Sequence, residues 1–229
     1  MKTGTLIGAI LYKEIVKMRI VWPLLFAFNA AFMGWLFVSV RQLFRADHPE
    51  VVWYRVMHLG QVHYTAMRYL PLCVGVAFAC LQFLPEMRDE RLRLSLHLPT
   101  SSNGVILTHL AAGLFVLGII YLFDTAALLA MTIYYFPAGV VSTTLLTFAP
   151  WVLAGVTGYM GTTLALLEPG LKQRVFILAV TAGLVSAMTM RSVPGSFANG
   201  LPLFLLVIPL LLIAALLPGY HFRHRRVDL

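Results

Sequence analysis

The most charged stretch of the chain sits between two long apolar runs. Glu86, Arg88, Asp89, Glu90, Arg91 and Arg93 fall within eight positions, and Leu92, Leu94, Leu96 and Leu98 alternate with polar residues up to Pro99-Thr100-Ser101. An Asp, Lys or Arg at the centre of a membrane helix costs about 2.5–3.5 kcal/mol, so this stretch must project into water. Four leucines are more than a solvated connector needs, and they point to docking on a protein surface. Alone, the alternation has the period of a strand. Leu92 with Leu96 and Leu94 with Leu98 are equally i,i+4 pairs of a helix. Pro99 would end such a helix before Thr100, Ser101 or Asn103 caps the next one. The residues leave both conformations open.

Other chemistry is sparse. The chain has no G-x-x-x-x-G-K-[ST], so no P-loop for ATP. It also lacks a nucleophile elbow, an H-E-x-x-H and a C-x-x-C. No catalytic residue and no cofactor on this chain is expected. His48, His58 and His63 match no tight ligand spacing, so no metal site is expected either. Cys73 and Cys80 lie seven apart in one apolar run, about 10 Å along a helix and too far for a disulfide.

Asp124 is the one acid well inside a span, where carboxyls are expensive and face a cavity or a partner. Two readings stand: a role in a translocation path or a span-to-span hydrogen bond, or a long helix that lifts Asp124 to an interface beside Arg68 or Arg191. Gly155, Gly158 and Gly161 form a small-residue stripe, expected to serve close helix packing. A dimer contact or a path lining is the other reading.

These residues must be positioned by membrane elements. The 229-residue chain is 60% hydrophobic and only 11% charged, with a mean hydropathy of +0.85. A soluble domain carries roughly 25% charged residues, so this is a polytopic membrane protein. The pattern predicts a single all-α transmembrane domain over 1–229 with six spans, at about 21–43, 69–84, 105–136, 145–167, 175–190 and 201–217. Residues 5–19 are expected as an interfacial helix, with Leu6, Ile7, Ile10, Leu11, Ile15 and Met18 on one side and Tyr12, Lys13, Glu14 and Lys17 largely on the other. Lys13, Glu14 and Lys17 also break up the first apolar stretch, which argues against a cleavable signal. The run at 105–136 reads either as one long helix or as a helix with a re-entrant piece.

Orientation follows from the basic residues. Twelve Lys and Arg share one side, among them Lys13, Lys17, Arg88, Arg91, Arg93 and Lys172, against five on the other, Arg41, Arg45, Arg55, Arg68 and Arg191. The positive-inside rule places the first group, the charged loop and both termini in the cytoplasm. The formal charge of +8 is therefore read as topology and lipid contact, not as nucleic-acid binding.

An N-terminal helix with Lys13-Glu14, six spans, and a loop reading Glu86-x-x-Asp89-Glu90-Arg91-Leu92-x-Leu94-x-Leu96-x-Leu98-Pro99-x-Ser101 together resemble the permease subunits of type-2 ABC exporters. The resemblance implies that Lys13, Glu14 and Lys17 belong to an elbow helix. It also implies that the loop between spans two and three is a coupling helix seated on a cytoplasmic ATP-binding cassette subunit. Glu86, Asp89, Glu90, Arg91, Leu92, Leu94, Leu96, Leu98 and Pro99 would make that docking contact. Arg91 departs from the family, which often carries Gly there.

ATP and Mg would be held by the partner subunit, and a second permease copy or a paralogue would complete the path. The setting would be a bacterial cytoplasmic (inner) membrane, with a periplasmic partner at Arg45–Tyr64 as a further expectation. The cargo would be hydrophobic or amphipathic and move outward. Alternatives are a haem-handling permease of cytochrome c maturation, a lantibiotic-immunity or drug-efflux permease, and, from another class, a membrane-embedded lipid-modifying enzyme. That last reading needs converging acids or histidines, where the chain offers Asp124 and scattered histidines.

Overall fold

The computed structural model describes residues 3–88, 102–190, 193–195 and 197–215. The segment 89–101, with Asp89, Glu90, Arg91, Leu92, Leu94, Leu96, Leu98 and Pro99, lies outside the described residues. All regular elements among the described residues are helical. In chain order they are α1 (Thr3–Met18), α2 (Val21–Ala46), α3 (Pro49–Met57), a 3₁₀ turn (Thr65–Tyr69), α4 (Leu70–Arg88), α5 (Ser102–Tyr135), α6 (Gly139–Leu167), α7 (Leu171–Thr189) and α8 (Leu201–Ala214).

Five of these segments are long and apolar enough to cross a membrane: Val21–Ala46, Thr65–Met87, Gly104–Tyr135, Gly139–Leu167 and Leu171–Thr189. The protein is thus a helical, multi-pass membrane protein by length and composition. Of the sixth expected span, 201–217, residues 216 and 217 lie outside the described residues. α8 has 14 residues, about 21 Å at 1.5 Å per residue, short of a hydrocarbon core of about 30 Å.

The long run at 105–136 is a single helix. α5 is unbroken over 34 residues and spans about 51 Å, so it outreaches the hydrocarbon at one end or both. α4 also runs further than expected. It passes through Pro85 to Arg88, although an internal proline removes a backbone hydrogen bond and costs about 3 kcal/mol. The last turn is held from outside, because Glu86 in it is ion-paired to α1. The polar, aromatic stretch before α4 folds into α3, which starts with Pro49 at its first turn. Asp47 and Arg55 pair across it at 2.6 Å, and Gly60 turns the chain with φ of 63°.

The centre of the molecule is α6, which packs against α4, α5, α7 and α8. The α4–α6 contact is backbone on backbone: a Cβ on Gly75 would stand 2.2 Å from the Gly155 carbonyl oxygen. Gly155 and Gly158 both face α4, whereas Gly161 faces Thr181 of α7. Three-residue steps turn back by about 60° each, so a stripe of three glycines drifts from one neighbour to the next. α2 lies on the flank, packed on α5 through ring contacts such as Phe26 with Phe123 at 4.7 Å.

Candidate functional site

α1 buries a stripe of Ile10, Glu14 and Met18, one residue per turn. This corrects the expected split, in which Glu14 lay on the solvent-facing side with Lys13 and Lys17. Ile15, expected on the apolar face, is exposed. Glu14 turns inward because polar partners await it on α4 and α5. Its Oε2 accepts a hydrogen bond from Gln82 Nε2 at 2.9 Å, and its Oε1 pairs with Lys17. His109 Nδ1 approaches the same oxygen at 3.0 Å, close in distance but without hydrogen-bond alignment.

The network widens from there. Gln82 also donates to the His109 carbonyl at 2.9 Å and accepts from Tyr159 OH of α6 at 2.9 Å. Lys17 reaches Glu86 Oε1 at 3.1 Å and donates to the Gln82 carbonyl at 3.2 Å. Lys13 holds Glu86 Oε2 at 3.0 Å. Glu14, Gln82, Glu86 and His109 are each 2% exposed or less. Burial alone would raise the Glu14 carboxyl, but His109 and Lys17 outweigh it and hold it at about 2.

These residues sit at the roots of the 89–101 segment: Glu86 in the last turn of α4, His109 in the second turn of α5. Glu86 was expected among the docking residues. Its carboxylate is enclosed and shared by Lys13 and Lys17, which ties α1 to α4. Gln82, His109 and Tyr159 were not anticipated. Gln82 and Glu86 are an i,i+4 pair on an otherwise apolar helix, which was a legible signal; their partners on α1 and α5 were not.

Asp124 is 0% exposed, and neither carboxyl oxygen has a hydrogen-bond partner among the described residues. The helices around it enclose the carboxyl completely. Arg68 lies with its guanidinium 5.1 Å from the centre of the Tyr69 ring rather than on Asp124, and Arg191 is outside the described residues. Nor does Asp124 make a span-to-span hydrogen bond among the described residues. Gly155, Gly158 and Gly161 serve packing inside the subunit, as described above.

At the far end of the bundle from α1, a cavity of about 370 Å³ lies between the α3–α4 connection and the start of α6, lined by His58, Gln61, His63, Tyr64, Thr143 and Thr144 among others. His63 stacks on Phe136 at 4.3 Å, and burial pulls its ring down to about 4. Among the described residues no cluster of three or more His, Cys, Asp or Glu is placed to hold a metal. Both cysteines are free.

Comparison with protein-family models, with curated proteins and with solved structures gives no match to this chain.

Proposed function

We propose that this chain is the permease subunit of an ATP-binding cassette exporter that moves a hydrophobic or amphipathic molecule outward across a bacterial cytoplasmic membrane. ATP and Mg are bound and hydrolysed by a separate cytoplasmic subunit, and a second permease copy or a paralogue completes the path. The observation that carries this reading is the ion-paired network joining α1 to both roots of the 89–101 segment. A loop that passes force to membrane helices must be rooted stiffly, because a load applied to a slack loop is lost in bending it. Here Lys13, Glu14 and Lys17 tie the α4 root and the α5 root into one unit with the interfacial helix.

The energetics are those of population shift. ATP favours the closed form of the ATPase pair, and a docked loop biases the permease by its difference in contact energy between the two forms. In this reading Leu92, Leu94, Leu96 and Leu98 supply the apolar part of the contact and Asp89, Glu90 and Arg91 the charged part. The test is co-purification of the full chain with an ATP-binding subunit co-expressed from its genomic neighbourhood. Leu94→Ala combined with Leu96→Ala should release that subunit while the permease still inserts. Unchanged retention and transport would sink the docking role.

A further inference from the structure

Among the described residues, two neighbouring helices carry buried carbonyl or carboxyl oxygens with no donor. These oxygens are Oδ1 and Oδ2 of Asp124 on α5 and Oδ1 of Asn29 on α2. Both residues are 0% exposed, and the Asn29 amide nitrogen is already used, donating to the Leu25 carbonyl at 2.8 Å. The two side chains lie at nearly one depth. Phe26 touches Phe123, so Asn29 and Asp124, three residues and one residue further along parallel helices, differ by about 3 Å along the axis. Lys13 and Lys17 are committed to Glu14 and Glu86, and Arg68 lies over Tyr69.

An apolar groove of about 320 Å³ lies between the same two helices, its nearest wall residues about one turn further along than Asn29 and Asp124. Its walls are Met33 and Phe37 of α2 and Ala127, Ala130, Met131 and Tyr134 of α5. Met33 and Phe37 follow Asn29 at i+4 and i+8, and Ala127 and Met131 follow Asp124 at i+3 and i+7, while Ala130 and Tyr134 lie further round α5. The groove opens sideways where Phe37 and Tyr134 are exposed. Its size falls at the lower end of the range of about 300–1,000 Å³ found for small-molecule sites.

We propose that α2 and α5 form a binding site for an amphipathic molecule with a cationic amine head, the head donating to Asp124 and Asn29 and the apolar tail lying in the groove. Acceptors without a donor select a donor, and a carboxyl in an apolar wall selects a positive one. A neutral alcohol supplies a single weak donor, and an anionic head is repelled. That this ligand is cargo rests on the transport reading; that it binds does not.

The experiment uses the full chain in nanodiscs of zwitterionic lipid, without any ATPase subunit, and compares equilibrium binding of dodecylamine and dodecanol against empty nanodiscs. Wild type should prefer the amine by about tenfold or more, the scale of one charge-assisted hydrogen bond. Asp124→Asn should abolish that preference while dodecanol affinity stays within about twofold. Ala130→Phe, which leaves Asp124 in place and fills the groove, should weaken both ligands. Equal affinity of wild type for the two probes, or a preference that survives Asp124→Asn, overturns the proposal and leaves an ordinary lipid contact. If Asp124→Asn does not fold, the wild-type ratio and the Ala130→Phe result still decide. Loss of the ATPase partner in the co-purification test would leave this result untouched, so the two readings fail separately.

Discussion

The Lys17 ammonium stands 3.1 Å from Glu86 Oε1, joining two residues 69 positions apart in sequence. Lys17 also pairs with Glu14, so one cation neutralises two buried carboxylates on different helices. Lys13 shares the load on Glu86, and His109 shares it on Glu14. α1 is therefore fixed by a network rather than by a single bridge, and its energetics follow from that.

Removing one partner of a buried pair costs about 3–5 kcal/mol when the other is left bare. Lys17→Ala leaves Lys13 on Glu86 and His109 on Glu14, so the expected loss is smaller, about 1–3 kcal/mol. Lys13→Ala combined with Lys17→Ala leaves Glu86 without a cation and should cost more than the sum of the two single changes. Thermal unfolding in detergent, run as a double-mutant cycle, measures the coupling; strict additivity would show that the bridges act independently.

Glu14 makes the protein acid-sensitive in a defined window. Its carboxyl titrates at about 2 in the folded chain against an ordinary 4.5. A depressed carboxyl contributes stability that is fully present above about 4.5 and is lost as pH falls toward 2, on the order of 3 kcal/mol in all. Glu14→Gln should flatten the stability profile between these values, read as unfolding midpoint against pH. A profile with the same slope as wild type would place the acid sensitivity elsewhere.

The glycines of α6 should not respond alike. A Cβ on Gly155 would lie 2.7 Å from the Pro71 carbonyl oxygen and 2.8 Å from its carbon, both backbone. On Gly158 the closest atom is Leu72 Cδ1 at 2.6 Å, the end of a flexible side chain. Gly155→Ala must push α4 away and should cost about 3 kcal/mol, whereas Gly158→Ala asks Leu72 to change rotamer and should cost about 1 kcal/mol. Comparing the two variants' melting temperatures checks the order, and equal losses would contradict the close α4–α6 approach.

Asp124 should be a stability cost to the ligand-free protein. Replacing an unpartnered buried carboxyl with the isosteric amide is expected to stabilise it by about 1–3 kcal/mol. Asp124→Asn would then melt higher than wild type in the absence of ligand and lose any stabilisation by dodecylamine. A lower melting temperature would mean that Asp124 already has a structural partner.

Much of the architecture is written locally in this chain. Apolar runs of membrane length are a sum over consecutive residues, and so α2, α5, α6 and α7 were visible at once, with errors of several residues at their ends. The missed ends have particular causes. Pro85 and Glu86 looked like the start of a loop because a proline and an acid normally end a span, and α4 passes through both because Lys13 and Lys17 reach it from α1. α8 looked long enough to span when its apolar run was counted to Leu217, but its described helix stops at Ala214.

Sequence alone determined that this is a helical membrane protein, that the charges of 86–93 are costly to place in hydrocarbon, and that Asp124 is out of place in a span. Each is a matter of transfer free energy, additive over neighbours in the chain. Only the tertiary structure decided that Glu14 faces inward, that Glu86 is paired with Lys13 and Lys17 of α1, and that Asp124 and Asn29 are both fully buried on neighbouring helices. Those outcomes depend on which helices meet and in what register. An amphipathic period places a side chain on a face, but the partner that makes a buried charge tolerable comes from tens of residues away.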